Sequence, residues 1–414
     1  MINIYIFGIG QGKKYLDRCL LNSNVNICGF IDNYKAEEMN LFEGISVVKQ
    51  SELYYSYDYI IITLMQYEDT RDSLLKEGIG REKIISFFDF GDASNELYWG
   101  IIDAYKWRTE LMWKHYTEIV KPSVENMGYE LYANSNLVKR ECPKIMDVEN
   151  TVNILNTERK CLARFGDGEF EIMCGRHRAN FQDVDDKLSE RLKEVLNSHL
   201  DNLLIAIADN YSSLEKYTDD AAMAIRMYLT KDVRKNHMDL LDLDRQYYNA
   251  YLSRPYIIYR DKENAKNKFN NLREIWNDEN VLIVEGEFTR FGVGNDLLDN
   301  ARSVERIIAP GKNAFEKYNE IKEGVYKHGK EKLILAILGP TATVLAYDLA
   351  KENYWIIDIG QLDVEYEWFL QGVNRRCNLK YKNVSEVISY SRVDSDIEDD
   401  NLKLYYSEIV ERIL

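Results

Sequence analysis

Apolar residues in this chain fall into short unbroken runs, each followed by a long polar or helix-spaced stretch. The runs at 2–7 (INIYIF), 27–31, 59–63 (YIIIT) and 84–88 (IISFF) read as buried strands of a first unit. A second series opens with the run ending at Arg164 and Phe165 and continues at 203–208 (LLIAIA), 281–284, 304–308, 333–338 and 355–359. Between these runs Leu188, Leu192, Val195 and Leu196 recur at helical spacing, and a further helix is expected over 341–351. Continuous apolar strands alternating with helices predict parallel pairing, so both halves are expected to be α/β. The stretch 96–144 lacks strand alternation. Its aromatic residues Trp99, Tyr105, Trp107, Trp113 and Tyr116 suit a helical segment that packs rather than a ligand platform. Pro122 and Pro143 punctuate it. The expected domains are therefore 1–95, a small Rossmann-like unit; 96–144, a helical, aromatic-rich connector; and 145–414, a larger parallel-sheet domain. The charged stretch 394–400 is expected as a solvated loop before a last helix.

A chain of 414 residues exceeds one ordinary domain, and its 45% hydrophobic content with only five prolines is that of a globular protein. The formal net charge of −16 argues against a nucleic-acid-binding surface, which needs a clustered basic face. Six cysteines occur without metal-type spacing and read as reduced thiols, which fits a cytoplasmic protein. No run approaches the ~18 apolar residues of a membrane span, so membrane contact is expected only as peripheral association at the inner face. Self-association into a homo-oligomer stays open.

The first unit has the outline of a dinucleotide-type βαβ. Gly8-Ile9-Gly10-Gln11-Gly12 follows the first run, and Asp32 closes the second, where it could meet a ribose hydroxyl. The position of a third fingerprint glycine holds Lys13, which makes bound NAD an unfavoured expectation.

In a parallel sheet, ligands gather where strands end, so the residues after each run of the second series are the site candidates. The first end carries Gly166-Asp167-Gly168-Glu169. Glycines there would let the chain turn sharply and bring both carboxylates to the mouth of a site, a hard-oxygen pair suited to Mg²⁺ or Mn²⁺. The bland reading is a solvated turn. Glu285 and Glu287, then Arg290, Asn295 and Asp296, follow the next run, and Lys312 follows Pro310-Gly311. Gly339-Pro340-Thr341 opens a helix, whose free amides and hydroxyls could receive phosphate, or whose Thr341 could be a plain cap. Arg164, Arg290 and Lys312 could neutralise a diphosphate. Asp363, Glu365 and Glu367 alternate; in an extended segment they would share one side, and in that order of preference Glu365, Asp363 and Glu367 are the candidate bases, against the alternative of an exposed acidic face.

RFGDGE, SRPY, VEGEFTRFGVGNDLLDNA, LGPTATVLAYDLA and DIGQLDVEYEW together resemble the motifs of bacterial glycosyltransferases of the GT-D fold, the DUF1792 group, over about Cys161 to Trp368. The resemblance implies a GT-D-type domain in the second half. It further implies transfer of a hexose from a UDP-sugar to a glycan acceptor, with a divalent metal held by a DXE motif, here Asp167 and Glu169. Arg164, Gly166, Arg254, Arg290, Asn295, Asp296, Lys312, Gly339, Pro340 and Thr341 would then bind the donor. The family motif has a His where this chain has Gln361; if that His takes a proton in relatives, a carboxylate must do so here. Two other classes stay open: a non-catalytic sugar-nucleotide-binding scaffold, and an NAD-dependent sugar-nucleotide oxidoreductase centred on Gly8, Gly10 and Asp32.

Overall fold

The computed structural model describes residues 1–53, 56–89, 100–132, 142–176, 182–384 and 400–414. Of these, 1–121 form one compact unit and 122–384 with 400–414 another. The expected loop at 394–399 and Trp99 lie outside the described residues.

In the first unit, β1 (Ile2–Phe7) pairs in parallel with β2 (Val25–Ile31) and with β5 (Tyr59–Ile62), and β6 (Ile84–Ser86) extends the sheet beyond β5. On the other side β2 pairs with β4 (Ile45–Val48), which makes a small antiparallel hairpin with β3 (Leu41–Phe42). Its two-residue loop, Glu43-Gly44, has φ of 51° and 78°, the left-handed pair that a tight hairpin turn needs. The hairpin is too short to have shown in the hydrophobic pattern. Helix Gln11–Cys19 lies close against the end of β5. A Cβ on Gly12 would stand 1.8 Å from the Thr63 carbonyl oxygen, so Gly12 is the close-approach glycine of the turn. Lys13 is buried, with Nζ 2.8 Å from both Asp17 and Glu43 and lying over the rings of Phe30 and Phe42. Asp32 caps the turn after β2 by accepting from the Lys35 amide at 3.0 Å.

The stretch expected as a connector is largely helical over 100–132, while Lys144 at its end begins a short strand, and its residues divide between the two units. Helix Ala104–His115 is capped by Asp103, whose carboxylate accepts from the amides of Tyr105 and Lys106. It buries Trp107 and Leu111 in the first unit's core, and Trp107 donates its indole N–H to the Phe87 carbonyl at 3.0 Å. Helix Lys121–Tyr132 belongs almost wholly to the second unit, where Asn126 donates to the carbonyls of Pro122 and Leu229.

The second unit is built on nine strands: β7 (Lys144–Ile145), β8 (Cys161–Phe165), β9 (Leu203–Ile207), β10 (Gln246–Asn249), β11 (Asn280–Gly286), β12 (Ser303–Ala309), β13 (Leu333–Ile337), β14 (Trp355–Asp358) and β15 (Ile409–Arg412). Their order is β15-β12-β11-β13-β14-β8-β9-β10-β7, and the recorded pairs are parallel, as the apolar runs predict. Leu282, Val284, Ile205, Ile207, Ile334 and Ala336 fill its core together with the buried side of helix Pro340–Lys351. The hydrophobic pattern does not show strands β10 and β15, because Gln246–Asn249 reads as polar and aromatic and Ile409–Arg412 ends in two adjacent charges, Glu411 and Arg412. At that edge, Arg306 on β12 joins Glu285 at 2.8 Å and Glu408 at 2.6 Å, all inside the sheet edge. Among the described residues no helix is long and apolar enough to cross a membrane.

Candidate active site

The chain leaves β11 towards β12 on one side and leaves β13 towards β14 on the other, so the loops after β11, β13, β14 and β8 border the crevice in which open parallel sheets bind ligands. At the end of β8, Gly166 precedes helix Asp167–Met173. Neither Gly166 nor Gly168 adopts a positive φ; the turn is an ordinary helix start, not a glycine bend. Asp167 is exposed at the first helical position. Glu169 folds back, and its Oε2 accepts from the Gly166 amide at 2.7 Å. One residue separates the two carboxylates, and both sit in the first turn of the helix that follows β8. Asp167 faces out, and Glu169 faces the strand ends. Burial, reinforced by the Asp358 carboxylate, pushes the Glu169 pKa up to about 7.

Arg164 is the strut of this corner. Its Nε lies 2.8 Å from the Asp358 carbonyl oxygen, its Nη2 2.7 Å from Asp358 Oδ1, and its Nη1 2.8 Å from Ser253 Oγ. One guanidinium thereby joins β8, β14 and the turn after β10. Burial drives the Asp358 pKa up while Arg164 pulls it down. Gly360, at φ 55°, passes directly over the guanidinium: a Cβ there would stand 2.0 Å from Arg164 Nη2. Arg164 was expected to contact a diphosphate; here most of its donors are committed to Asp358 and Ser253. Asp358 was missed as a site residue, although it lies within the run 355–359 and ends β14.

Helix Asp167–Met173 is supported from below. The ring of Phe170 stacks on His237 at 4.0 Å, and His237 also meets the hydroxyls of Tyr211 at 2.8 Å and Tyr228 at 3.2 Å. Tyr228 reaches the Asp167 carbonyl oxygen and Glu171 Oε1. Burial lowers the His237 pKa to about 3 and keeps the ring neutral. Asp209 stands two residues past β9, as Asp167 stands two past β8, and the strands pair in register up to Phe165 and Ile207. Its Oδ2 accepts from Asn249 at 3.0 Å and from Lys216, while among the described residues Oδ1 takes no hydrogen bond. Asp209 directly follows the apolar run 203–208, and its place beside the acidic turn was the signal the sequence offered.

The other candidates form a second, closed group. Asp363, Glu365 and Glu367 lie on helix Leu362–Leu370, not on an extended segment, which corrects the shared face expected of them. Glu365 is fully buried and accepts from the amides of Tyr256 and Ile257 at 3.0 and 2.8 Å, which ties that loop to the helix. Asp363 and Glu367, one helical turn apart, share the Asn295 amide at 2.8 Å each and the buried Lys382 ammonium at 2.6 and 3.0 Å. Asp296 accepts from Tyr366 at 2.7 Å, and that bond holds its pKa down. Arg290 is buried at φ 50°, donates to the Tyr381 carbonyl at 3.2 Å and packs over Phe288 and Tyr405. Asn295, Asp296 and Arg290 thus each bond a group far away along the chain.

The phosphate candidates fare differently. Gly339, at φ 56° with no atom within 4 Å of a built Cβ, opens helix Pro340–Lys351 onto free space. Thr341 is fully buried, and its Oγ1 has no hydrogen-bond partner among the described residues. Thr343 donates to the Arg164 carbonyl at 2.9 Å, which brings this helix start beside the end of β8. Arg254 neighbours Tyr251, which also feels Asp167 and Asp209. Lys312 is exposed, 4.0 Å from Asp183, whose amide and carboxylate are held by Asn313. Among the described residues no group of three or more His, Cys, Asp or Glu side chains could hold a metal ion. Asp167 and Glu169 supply two hard oxygen donors, a set that suits Mg²⁺ or Mn²⁺ only with phosphate oxygens completing it.

A family model described as "Glycosyltransferase GT-D fold" matches residues 162–387, and one described as "C2185-like, N-terminal" matches residues 1–85. The chain is 38% identical over 270 residues to "Probable glycosyl transferase Gly" of Streptococcus gordonii, which covers 64% of this chain and 38% of that protein. It is 35% identical over 275 residues to "Glycosyltransferase GlyD" of Streptococcus pneumoniae, covering 66% of this chain and 33% of that one. The matched region therefore spans well under half of the length of either curated relative. A solved structure described as "A New Glycosyltransferase (DUF1792) from Streptococcus sanguinis" superposes with a TM-score of 0.62 at 35% identity, covering 66% of this chain and all of that one. A second, described as a domain 1792 with "a distinct glycosyltransferase fold", gives 0.61 at 34% identity, with 66% and 96% covered.

Proposed function

The chain belongs to the GT-D fold glycosyltransferase family, and from that membership we propose that it transfers a hexose from a UDP-sugar to a glycan acceptor with the help of a divalent metal ion. The observation that carries the proposal is the Thr343 bond to Arg164, which sets an open, anion-receptive helix start beside an exposed acid at the end of β8. The backbone N–H groups of Gly339 and Thr341, between which Pro340 has none to offer, and the unpartnered Thr341 hydroxyl would receive a phosphate of the donor. Lys312, exposed at the end of β12, would screen its charge. Asp167 and the second oxygen of Glu169 would hold Mn²⁺ or Mg²⁺, whose positive charge would stabilise the departing diphosphate. The Arg164–Asp358–Ser253 strut positions the turn that carries these acids and keeps Glu169 next to a second carboxylate.

With Glu365 buried and Asp363 and Glu367 bound to Lys382, the carboxylate best placed to take a proton from the acceptor hydroxyl is Asp209 Oδ1. Gln361 would then need no histidine-like role. A panel of UDP-hexoses assayed for Mn²⁺-dependent UDP release tests class, donor and metal together. Release with one hexose, abolished by chelation, supports the proposal; no release with any donor and acceptor extract contradicts it.

A further inference from the structure

Helix Ala104–His115 is apolar on two opposite faces. Trp107 and Leu111 fill the core of the first unit. On the outer face, Tyr105 is 80% exposed, Met112 70% and Trp113 60%, and in the π-helical turn that follows Tyr116 is 48% and Val120 38% exposed. Tyr105, Thr109, Met112 and Tyr116 recur at i, i+4, i+7 and i+11, the spacing of a seam that packs against another helix. The polar member of that seam is already satisfied, because the Thr109 hydroxyl donates to the Tyr105 carbonyl at 2.9 Å. Trp113 and Tyr116 lie ring by ring, 5.8 Å apart, as a preformed aromatic ridge. A helix with a second wide apolar face opposite its core face leaves that face to be covered by a partner.

We propose that a second copy of this chain covers this face, in a two-fold dimer in which the helix 104–115 of each copy packs on that of the other. Two observations favour a second copy over a lipid surface. The charges along 103–121 are nearly balanced, with Lys106, Arg108, Lys114 and Lys121 against Asp103, Glu110 and Glu118, so the face lacks the basic flank that draws a helix to an anionic bilayer. Scaled by their exposure, the five apolar side chains leave on the order of 600 Å² open per chain, so two copies would bury about 1,200 Å², the lower edge of a standard specific interface. A self-matching patch of this kind forms a closed two-fold contact and needs no other protein.

The proposal is independent of the reaction, and its test is mass in solution. Light scattering on the full chain at about 50 μM, above the micromolar dissociation constants typical of small interfaces, is expected to give twice 48.6 kDa. Trp113→Glu, and separately Tyr105→Ser with Met112→Ser, should restore the single mass with unchanged circular dichroism and melting. Wild type at a single mass up to that concentration overturns the dimer, as does a dimer that survives both variants. Retention of the monomeric wild type on phosphatidylserine vesicles would assign the face to a membrane and overturn it too.

Discussion

Gly360→Ala tests whether the Arg164 corner organises the site. The added methyl would stand 2.0 Å from Arg164 Nη2, and the residue would have to keep φ 55°. Holding an L-residue in that left-handed region costs about 1–2 kcal/mol. The guanidinium cannot simply swing aside, since it is bound to Asp358 on one edge and Ser253 on the other. Displacing it strands the buried Asp358 carboxylate, and breaking a buried pair costs about 3–5 kcal/mol in full; Arg164 retains some solvent contact, so about half of that is expected here. The two effects together predict a loss of about 3 kcal/mol, or a melting point lower by about 6–12 °C. UDP release should fall with it, because the turn bearing Asp167 and Glu169 loses its anchor. Urea unfolding followed by tryptophan fluorescence measures the first effect and a coupled UDP assay the second. Gly168→Ala is the control: it lies in a helix with no atom near the new methyl and should stabilise by about 0.5–1 kcal/mol. A Gly360→Ala protein as stable and active as wild type would refute the strut.

Further consequences follow from the same contacts. Glu365→Gln should keep the turnover within about threefold of wild type while lowering stability by about 1–2 kcal/mol, since it weakens two amide bonds; a loss of turnover at full stability would restore Glu365 as the base. Arg306→Met should cost about 3–5 kcal/mol in urea unfolding by leaving the buried Glu285 without its partner, whereas an unchanged midpoint would mean that Glu285 is neutral in the fold. His237 has a native pKa of about 3 against an ordinary 6.5, so between those values the unfolded chain binds a proton that the native state does not. Stability should therefore fall as the pH drops through that window, by about 1.4 kcal/mol per unit at most, and His237→Gln should flatten the slope in acid titrations.

The strands of both units were legible because their inner residues are almost all Val, Ile, Leu and Phe, as a sheet covered on both faces demands. Strand β10 was not, because Tyr247 and Asn249 are buried there through hydrogen bonds that a hydropathy pattern does not record. In the site, Asp167, Glu169 and Gly339–Thr341 stood out by residue type and by their position after apolar runs. The misreading of 363–367 has a simple cause: an acid at every second position fits a strand face, and only the left-handed Gly360, which starts a helix, removes that reading. Arg290, Asn295 and Asp296 bond Tyr381, Asp363 and Tyr366, which lie 91, 68 and 70 residues away. No local pattern marks a cation or amide that will be spent on so distant a neighbour. Lys382, which neutralises Asp363 and Glu367, was invisible for the same reason.

The central claim is that the acidic turn after β8 and the helix start after β13 together hold a metal-bound diphosphate. Calorimetric titration of UDP into the full chain, with and without Mn²⁺, tests it most directly. Because Asp167 and Glu169 would contribute two oxygen donors, with no group of three or more His, Cys, Asp or Glu side chains among the described residues, the ion should bind weakly alone and UDP should bind at least tenfold tighter in its presence. Asp167→Asn should abolish that gain while leaving the melting curve unchanged. Equal UDP affinity with and without the metal, or an Asp167→Asn protein that keeps the full gain, would contradict the account.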